Sequence, residues 1–326
     1  MNTPHRQYLG SYFLGRFVPI TDSNGEIESR NPGDLDTPVV KCAFSYDHVQ
    51  EAVASAARGS LPWKRMALSD RLTALFHYRK VLEERSDFIA QLISFETGIP
   101  FWEARSEMLE TLSILDYYLE SAKLTPLESH SREAGSGYAT QVNHFPRGIA
   151  AIITPAIHPI ADTHVHLIPA LIYGNTAVVK ASRKAPLVGQ AIAEAMHDAQ
   201  MPPDVFNLVQ GDSEVARRLV GHPDVQIVFY TGSYDTAVKI QKQVLSDYWK
   251  VLVLDMAGKN GLLVWKDANY TQALQETLYS AFLTTGQRRT TASRVLVHRS
   301  LLNRFQEDLH KLAKKIRSEE RRVGKE

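Results

Sequence analysis

Between positions 46 and about 119, apolar side chains recur at three- and four-residue spacing: Leu72, Leu75 and Phe76, then Val81 and Leu82, then Phe88, Ile89, Leu92 and Ile93. That spacing repeats one face of an α-helix, so the stretch predicts amphipathic helices whose apolar faces meet a shared core. Ser69 stands where an N-cap would open one of them, and Gly98 followed by Pro100 predicts a stop between two. The segment 136–144, SGYATQVNH, alternates in the manner of an extended strand and runs into Pro146.

After Pro146 the pattern changes to short apolar runs at 149–153, 176–179, 205–209, 226–230 and 251–254, with amphipathic stretches such as 187–199 and 214–220 between them. Strand-length runs alternating with helix-length stretches predict βαβ units, hence a parallel sheet with helices on both faces. In that architecture ligands sit beyond the carboxyl ends of the strands. A second unit is expected from about Asn260, with a strand at 262–265, a helix at 271–283, a strand at 295–298 and a last helix at 301–316. The final ten residues, 317–326, are densely charged and have no hydrophobic face.

Composition narrows the class. At 326 residues and 44% hydrophobic content the chain can bury a substantial core. Its 37 basic and 36 acidic residues nearly cancel to +1, so no basic stripe is expected to neutralise phosphates and nucleic acid is not an expected partner. Cys42 is the only cysteine, which excludes an internal disulfide and a thiolate-rich metal site. The first ten residues carry no apolar run of signal-peptide type, and nowhere do eighteen uncharged apolar residues run together, so no membrane association and a cytoplasmic location are expected.

Four segments carry the chemistry: GNTAVVK at 174–180, YTGS at 230–233, LDMAGKN at 254–260 and GQRRTTASR at 286–294. Lys180 ends a predicted strand. Thr231, Gly232 and Ser233 join a strand to a helix whose first amides can receive a pyrophosphate, with Gly232 allowing close approach and Ser233 serving as N-cap and donor. Each segment alone is a weak signal, and the turn at 231–233 by itself reads as a plain capped turn. Taken in order, with ETGIP at 96–100 and NLVQG at 207–211, they resemble the aldehyde dehydrogenase superfamily over essentially the whole chain before the charged tail. Among its branches the segments look most like succinylglutamate semialdehyde dehydrogenases.

The resemblance implies an α/β fold of aldehyde dehydrogenase type: a Rossmann-type parallel sheet with N-terminal helices and an incomplete second α/β catalytic domain. Residues 1–258 would hold the helices, the NAD(P)-binding domain and an oligomerisation-arm strand near 136–144. Residues 259–316 would begin the catalytic domain, and 317–326 look foreign to the family, so a C-terminally truncated chain is expected. Homo-oligomers are usual in the family, but the strand through which members usually assemble would be absent here. The family reaction is NAD(P)-dependent oxidation of an aldehyde or semialdehyde to the acid.

By the same resemblance, Thr154, Pro155, Lys180, Ser182, Arg183, Gly211, Thr231, Gly232, Ser233 and Met256 are the cofactor-binding candidates. The lysine matching Lys180 contacts the adenosine ribose, and a glutamate three residues on commonly holds the ribose hydroxyls. Here that position is Arg183, which cannot accept from hydroxyls but can pair with a 2′-phosphate, so either NAD or NADP is expected, with NADP favoured. Arg183 reads equally as a solvated surface residue. Ala237 stands where a glycine is frequent in the family, which would crowd the pyrophosphate slightly.

All three chemical positions depart from the family. Arg289 occupies the place of the nucleophilic cysteine, Asp255 that of the general-base glutamate, and Ile157 that of the oxyanion-binding asparagine. A guanidinium stays protonated and has no electron pair to attack a carbonyl. Asp255 keeps a carboxylate but withdraws it by about 1.5 Å, and a misplacement of about 1 Å can cost roughly a hundredfold in rate. Ile157 donates nothing, and one lost oxyanion contact costs about 2.7–4 kcal/mol. Cys42 reads as a small buried hydrophobe in the helical N-terminal region, and Thr290 and Thr291 are expected to point away from the reaction centre. Arg289 and Asp255 are expected to form an ion pair that plugs the substrate tunnel, leaving the chain inactive. Two other classes stay open: a non-catalytic NAD(P)-binding or partner subunit, and a metal-dependent hydrolase using His158, Asp162 and His166 at four-residue spacing.

Overall fold

The computed structural model describes residues 7–124, 130–134, 138–142 and 144–316. It opens with four strands, β1 (Ser11–Phe13), β2 (Arg16–Val18), β3 (Gly25–Asn31) and β4 (Asp34–Phe44), followed by helices α1 (Asp47–Arg65), α2 (Leu68–Glu84), α3 (Ser86–Thr97) and α4 (Phe101–Leu124). A hairpin of β5 (His130–Ala134) and β6 (Tyr138–Val142) leads into β7 (Ile149–Ile153), α5 (Ala161–Ile172), β8 (Thr176–Lys180), α6 (Pro186–Asp198), β9 (Phe206–Val209), α7 (Ser213–Gly221), β10 (Ile227–Gly232), α8 (Tyr234–Gln243) and β11 (Val251–Met256). The chain then forms β12 (Asn260–Val264), α9 (Tyr270–Phe282), a 3-10 turn (Leu283–Gly286), β13 (Ala292–Val297) and α10 (Leu302–Ala313).

The central sheet runs β11-β10-β7-β8-β9-β1-β2; the first five are mutually parallel, and β1 joins β9 antiparallel. Both faces are covered. Ala177 and Val179 of β8 pack with Leu75, Leu167 and Ile192 from α2, α5 and α6, while Val178 packs with Ala52, Val215 and Ile240 from α1, α7 and α8. A strand buried on both sides has no polar face to show, so its sequence is an unbroken apolar run. The predicted alternation of strands and helices therefore stands from Ile149 onward. β12 and β13 form a separate two-stranded parallel sheet, covered on one face by α9 and α10 through Val264, Leu274 and Phe305.

Two expectations need correction, and the antiparallel extension of the sheet was not foreseen. Cys42 lies fully buried in β4 rather than in a helical region, within the run of four strands between 11 and 44. The sheet is mixed, because the β1–β2 hairpin extends it antiparallel. Apolar periodicity could not reveal these strands: β1 and β2 are three residues each and β3 is largely polar. Ser69 sits inside α2, whose N-cap is Ala67 with no side-chain cap. The stretch 136–144 contains β6, but 136, 137 and 143 lie outside the described residues, as does 317–326. Gly98 does end α3, in the left-handed conformation at φ 75° that favours glycine.

Helices α5 and α6, which flank the site, open without side-chain caps of their own. Buried glutamates from elsewhere serve instead. Glu107 of α4 accepts from the amides of Ile160 and Ala161 at 2.9 and 3.2 Å. Glu96 of α3 accepts from Leu187 and Val188 at 3.1 and 2.9 Å. Each satisfies two orphan helix donors. Burial outweighs those amides and pushes both carboxyls up to about 8.

The folded chain thus binds these protons more tightly than the unfolded chain does, so the contribution is complete below pH 4.5 and is lost as pH rises through about 8. Glu107→Gln keeps an acceptor for both amides and removes the titration. Its melting temperature should fall less than that of the wild type across this window, whereas Glu107→Ala should lower the unfolding free energy by about 1–3 kcal/mol per orphaned amide in urea melts.

Candidate functional site

The carboxyl ends of the parallel strands lie along one edge of the sheet. Thr154 and Pro155 follow β7, Lys180 ends β8 with Ser182 and Arg183 behind it, Gly211 follows β9, Thr231 and Gly232 end β10 with Ser233 after them, and Asp255 and Met256 end β11. Thr154 stitches two of these ends together, its amide donating to the Lys180 carbonyl at 3.2 Å and its Oγ1 accepting from the Ser182 amide at 3.2 Å.

Beneath this edge lies a cavity of about 330 Å³, lined by Pro155, Ile157, His158, Asp162, Thr231, Gly232, Ser233 and Asp255 from the sheet side, and by Gln287, Arg288, Arg289 and Thr290 from the loop before β13. Arg289 reaches across it. Its Nη1 abuts the Asp255 carboxylate as a charge contact without hydrogen-bond alignment, and its Nη2 donates to Asp162 Oδ1 at 3.3 Å. The expected Arg289–Asp255 pair is therefore present, with Asp162 as a third member that the sequence did not suggest in this role.

The loop owes its course to an unusual turn. Thr284 and Thr285, at φ 56° and 53°, and Gly286, at φ 70°, are all left-handed. β-branched residues rarely adopt this conformation, and such strain persists only where surroundings impose it. Here the Thr284 amide donates to buried Glu103 Oε2 of α4 at 2.5 Å, and Arg288 Nε donates to Thr284 Oγ1 at 2.5 Å. Opposite, His158 is also left-handed, at φ 53°. Thr290 is among the residues lining the cavity.

Electrostatics follow burial first. Desolvation pushes Asp162 up to about 6, against the pull of Arg289. Burial and then the nearby arginines lower His158 to about 4, and burial and then Arg289 lower His166 to about 4. Both rings are therefore neutral near pH 7. His166 Nε2 meets Thr231 Oγ1 at 3.2 Å, and its ring stacks on Phe229. His164 is buried, with Nδ1 2.6 Å from the Ile160 carbonyl and Nε2 2.7 Å from the Tyr78 hydroxyl. A carbonyl only accepts, so Nδ1 carries the proton and the Tyr78 hydroxyl donates to Nε2.

These placements remove the basis of the metal-hydrolase reading. His158 precedes α5 instead of sharing its face with Asp162 and His166. Among the described residues no group of three or more His, Cys, Asp and Glu is placed to hold a metal ion.

Of the cofactor candidates, Pro155, Thr231, Gly232 and Ser233 line the cavity, whereas Thr154, Lys180, Ser182, Arg183, Gly211 and Met256 lie outside its lining. Ser233 is the N-cap of α8, but its hydroxyl donates to Thr236 Oγ1 and caps no amide. At Gly232 a Cβ would stand 2.3 Å from the Tyr230 hydroxyl oxygen, which itself donates to the Ser233 carbonyl at 3.2 Å, so any side chain there would have to displace the Tyr230 ring. Lys180 is buried, and burial lowers its amine to about 8. Arg183 is exposed. Sequence reasoning missed Asp162 as a partner of Arg289 and Glu103 as the brace of Thr284, because no local signal marks residues that meet across more than a hundred positions, and it also missed the Arg288–Thr284 contact.

Comparison with known proteins agrees with this architecture. The aldehyde dehydrogenase family model matches residues 20–324. An N-succinylglutamate 5-semialdehyde dehydrogenase of Burkholderia thailandensis is 37% identical over 289 residues, 88% of this chain and 59% of its own length. The chain thus spans under two thirds of the curated relatives it matches. Among solved structures, PnpE in complex with nicotinamide adenine dinucleotide superimposes with a TM-score of 0.89 at 30% identity, over 94% of this chain and 63% of that one. An aldehyde dehydrogenase of Brucella melitensis superimposes with a TM-score of 0.90 at 25% identity, over 95% of this chain and 64% of that one. The edge-on strand ends, the turn before α8 and the cavity beneath them belong to a chain that is a member of the aldehyde dehydrogenase family.

Proposed function

We propose that this chain binds NAD(P) and a small aldehyde or its acid without oxidising the aldehyde covalently. One observation carries the reading: a permanent cation, Arg289, stands at the family's nucleophile position and is tied to the carboxylates of Asp255 and Asp162. A protonated guanidinium cannot add to a carbonyl, and Asp255 engaged by it cannot draw a proton from water. The Arg289–Asp255 pair blocks the reaction centre, while the rest of the cavity stays open to a ligand. Residues 1–258 form the nucleotide-binding part with its oligomerisation arm, and 259–316 the beginning of the catalytic part.

The residues present fit a dinucleotide. Helix α8 opens with no side-chain cap, leaving its first amides free for a pyrophosphate beside Gly232 and Ser233. Lys180 is buried with its amine paired to no carboxylate among the described residues, and Arg183 is exposed beside it for a 2′-phosphate. Thr154, Pro155, Ser182, Gly211, Thr231 and Met256 complete the strand-end edge on which the dinucleotide lies. The bound nicotinamide supplies a hydride acceptor. This chain's residues orient it; none presents a thiolate to it, because Cys42 is buried in β4 and its thiol is pushed up by burial. The relatives named for N-succinylglutamate 5-semialdehyde point to a carboxylate-bearing aldehyde or acid as the second ligand.

Three outcomes follow. Fluorescence titration should give tighter binding of NADPH than of NADH, and Arg183→Ser should remove the difference while leaving NADH affinity near the wild-type value; equal wild-type affinities would remove the NADP preference. Wild-type protein should form no NADPH with a semialdehyde, whereas Arg289→Cys should gain a thiol that iodoacetamide alkylates at least about tenfold faster than Cys42, since an accessible thiolate is the reactive form. In Arg289→Ala, carboxyl and imidazole NMR titrations should show Asp162 moving above about 6 and His166 rising from about 4, because each loses the cation that lowers it. Unmoved midpoints would mean that Arg289 does not occupy the cavity in solution.

A further inference from the structure

The two arginines at the cavity stand in opposite electrical situations. Arg289 is shared between Asp255 and Asp162. Arg288 is held at one point only: its Nε donates to Thr284 Oγ1 at 2.5 Å, and its two Nη nitrogens meet no hydrogen-bond acceptor and no carboxylate at ion-pair distance among the described residues. Its stem is nonetheless fixed. Thr284 is held in the left-handed conformation with its amide donating to Glu103, so the guanidinium is anchored through Nε on a residue that lines the cavity.

Three further carboxyls line the same cavity, and none stands at ion-pair distance from Arg288. Asp255 and Asp162 are engaged by Arg289, and Glu110 lies 3.9 Å from His158 Nδ1 on a half-exposed side chain. Glu103 attracts Arg288 through space, but its Oε2 is occupied by the Thr284 amide. Across the cavity, His158 Nε2 is a buried polar atom without a partner. A planar guanidinium whose two Nη groups have no partner among the described residues, on a residue that lines the cavity, matches the two oxygens of a carboxylate.

We infer that Arg288 is the carboxylate-binding residue of this cavity, and that the ligand it selects is a short chain ending in a carboxylate. The inference rests on the proposed reading of the cavity as a pocket for an aldehyde or acid, and it adds the group that chooses between charged and uncharged ones. About 330 Å³ is ample for a chain of a few carbons. Arg289 takes no part in recognition, because its charge is already compensated.

The test is calorimetric titration of the NADPH-loaded full chain with glutarate as probe and pentanediol as its uncharged counterpart, on wild type, Arg288→Gln and Arg288→Met, with NADPH affinity measured on the same preparations. Glutarate should bind the wild type saturably and pentanediol should not. Both variants should weaken glutarate by at least about tenfold, the loss of one charge-assisted pair, with NADPH affinity unchanged. The Met variant preserves side-chain bulk and carries the comparison if Gln fails to fold. Glutarate binding that is absent from wild type, equal in wild type and variants, or matched by pentanediol overturns the role of Arg288. Failure of NADPH to bind, with glutarate still dependent on Arg288 in the unloaded protein, leaves that role standing and overturns the proposed function instead.

Discussion

A parallel strand buried on both faces can present chemistry only at its ends, and the whole layout of this chain follows from that constraint. In β7, β8 and β10 nearly every side chain is committed to one of two apolar layers, so the lengths of the strands are closed to ligands. The polar and glycine positions collect beyond the carboxyl ends, where Thr154, Lys180, Thr231, Gly232 and Asp255 stand side by side. The cavity is the space between that edge and the loop that approaches it from the β12–β13 unit.

Three glutamates from the helical layer keep this edge in place. Glu96, Glu103 and Glu107 project from α3 and α4, and each accepts a backbone amide of another element: α6, the left-handed turn before β13, and α5 respectively. Each is buried, and burial raises all three. A carboxyl in such a place is retained for the donors it satisfies, since leaving those amides unpaired would cost more than desolvating the acid. Through Glu103 and Thr284 the helical layer also sets the direction in which Arg288 and Arg289 enter the cavity.

The Arg289 cluster is a matter of shape more than of stability. Arg289 and Asp255 keep about a third of their side-chain surface exposed, at 35% and 34%, so water screens much of their attraction. Asp162 is more buried, and there desolvation outweighs the cation. An arrangement that gains little in stability but spans the cavity shapes the site more than it reinforces the fold.

The strand-helix alternation after Pro146 was legible in the sequence because two-sided burial writes itself as apolar runs, and amphipathic helices as a three-to-four repeat. The glycine turn at Gly232 was legible, and Arg289, Asp255 and Ile157 could be singled out, because motifs are local. The N-terminal strands were not, because β1 and β2 are too short to show a period and β3 draws its partners from the neighbouring strand. Nor did the sequence indicate that His158 would leave the helix, that Asp162 would join the Arg289 pair from 127 positions away, or that Glu103 would brace a turn 181 positions on. Those are encounters between distant segments, and only the packing of the helical layer against the sheet and its loops brings them within reach. Sequence alone determined which groups are available to the site; tertiary structure decided which are already paired and which, like Arg288, line the cavity without an ion-pair partner among the described residues.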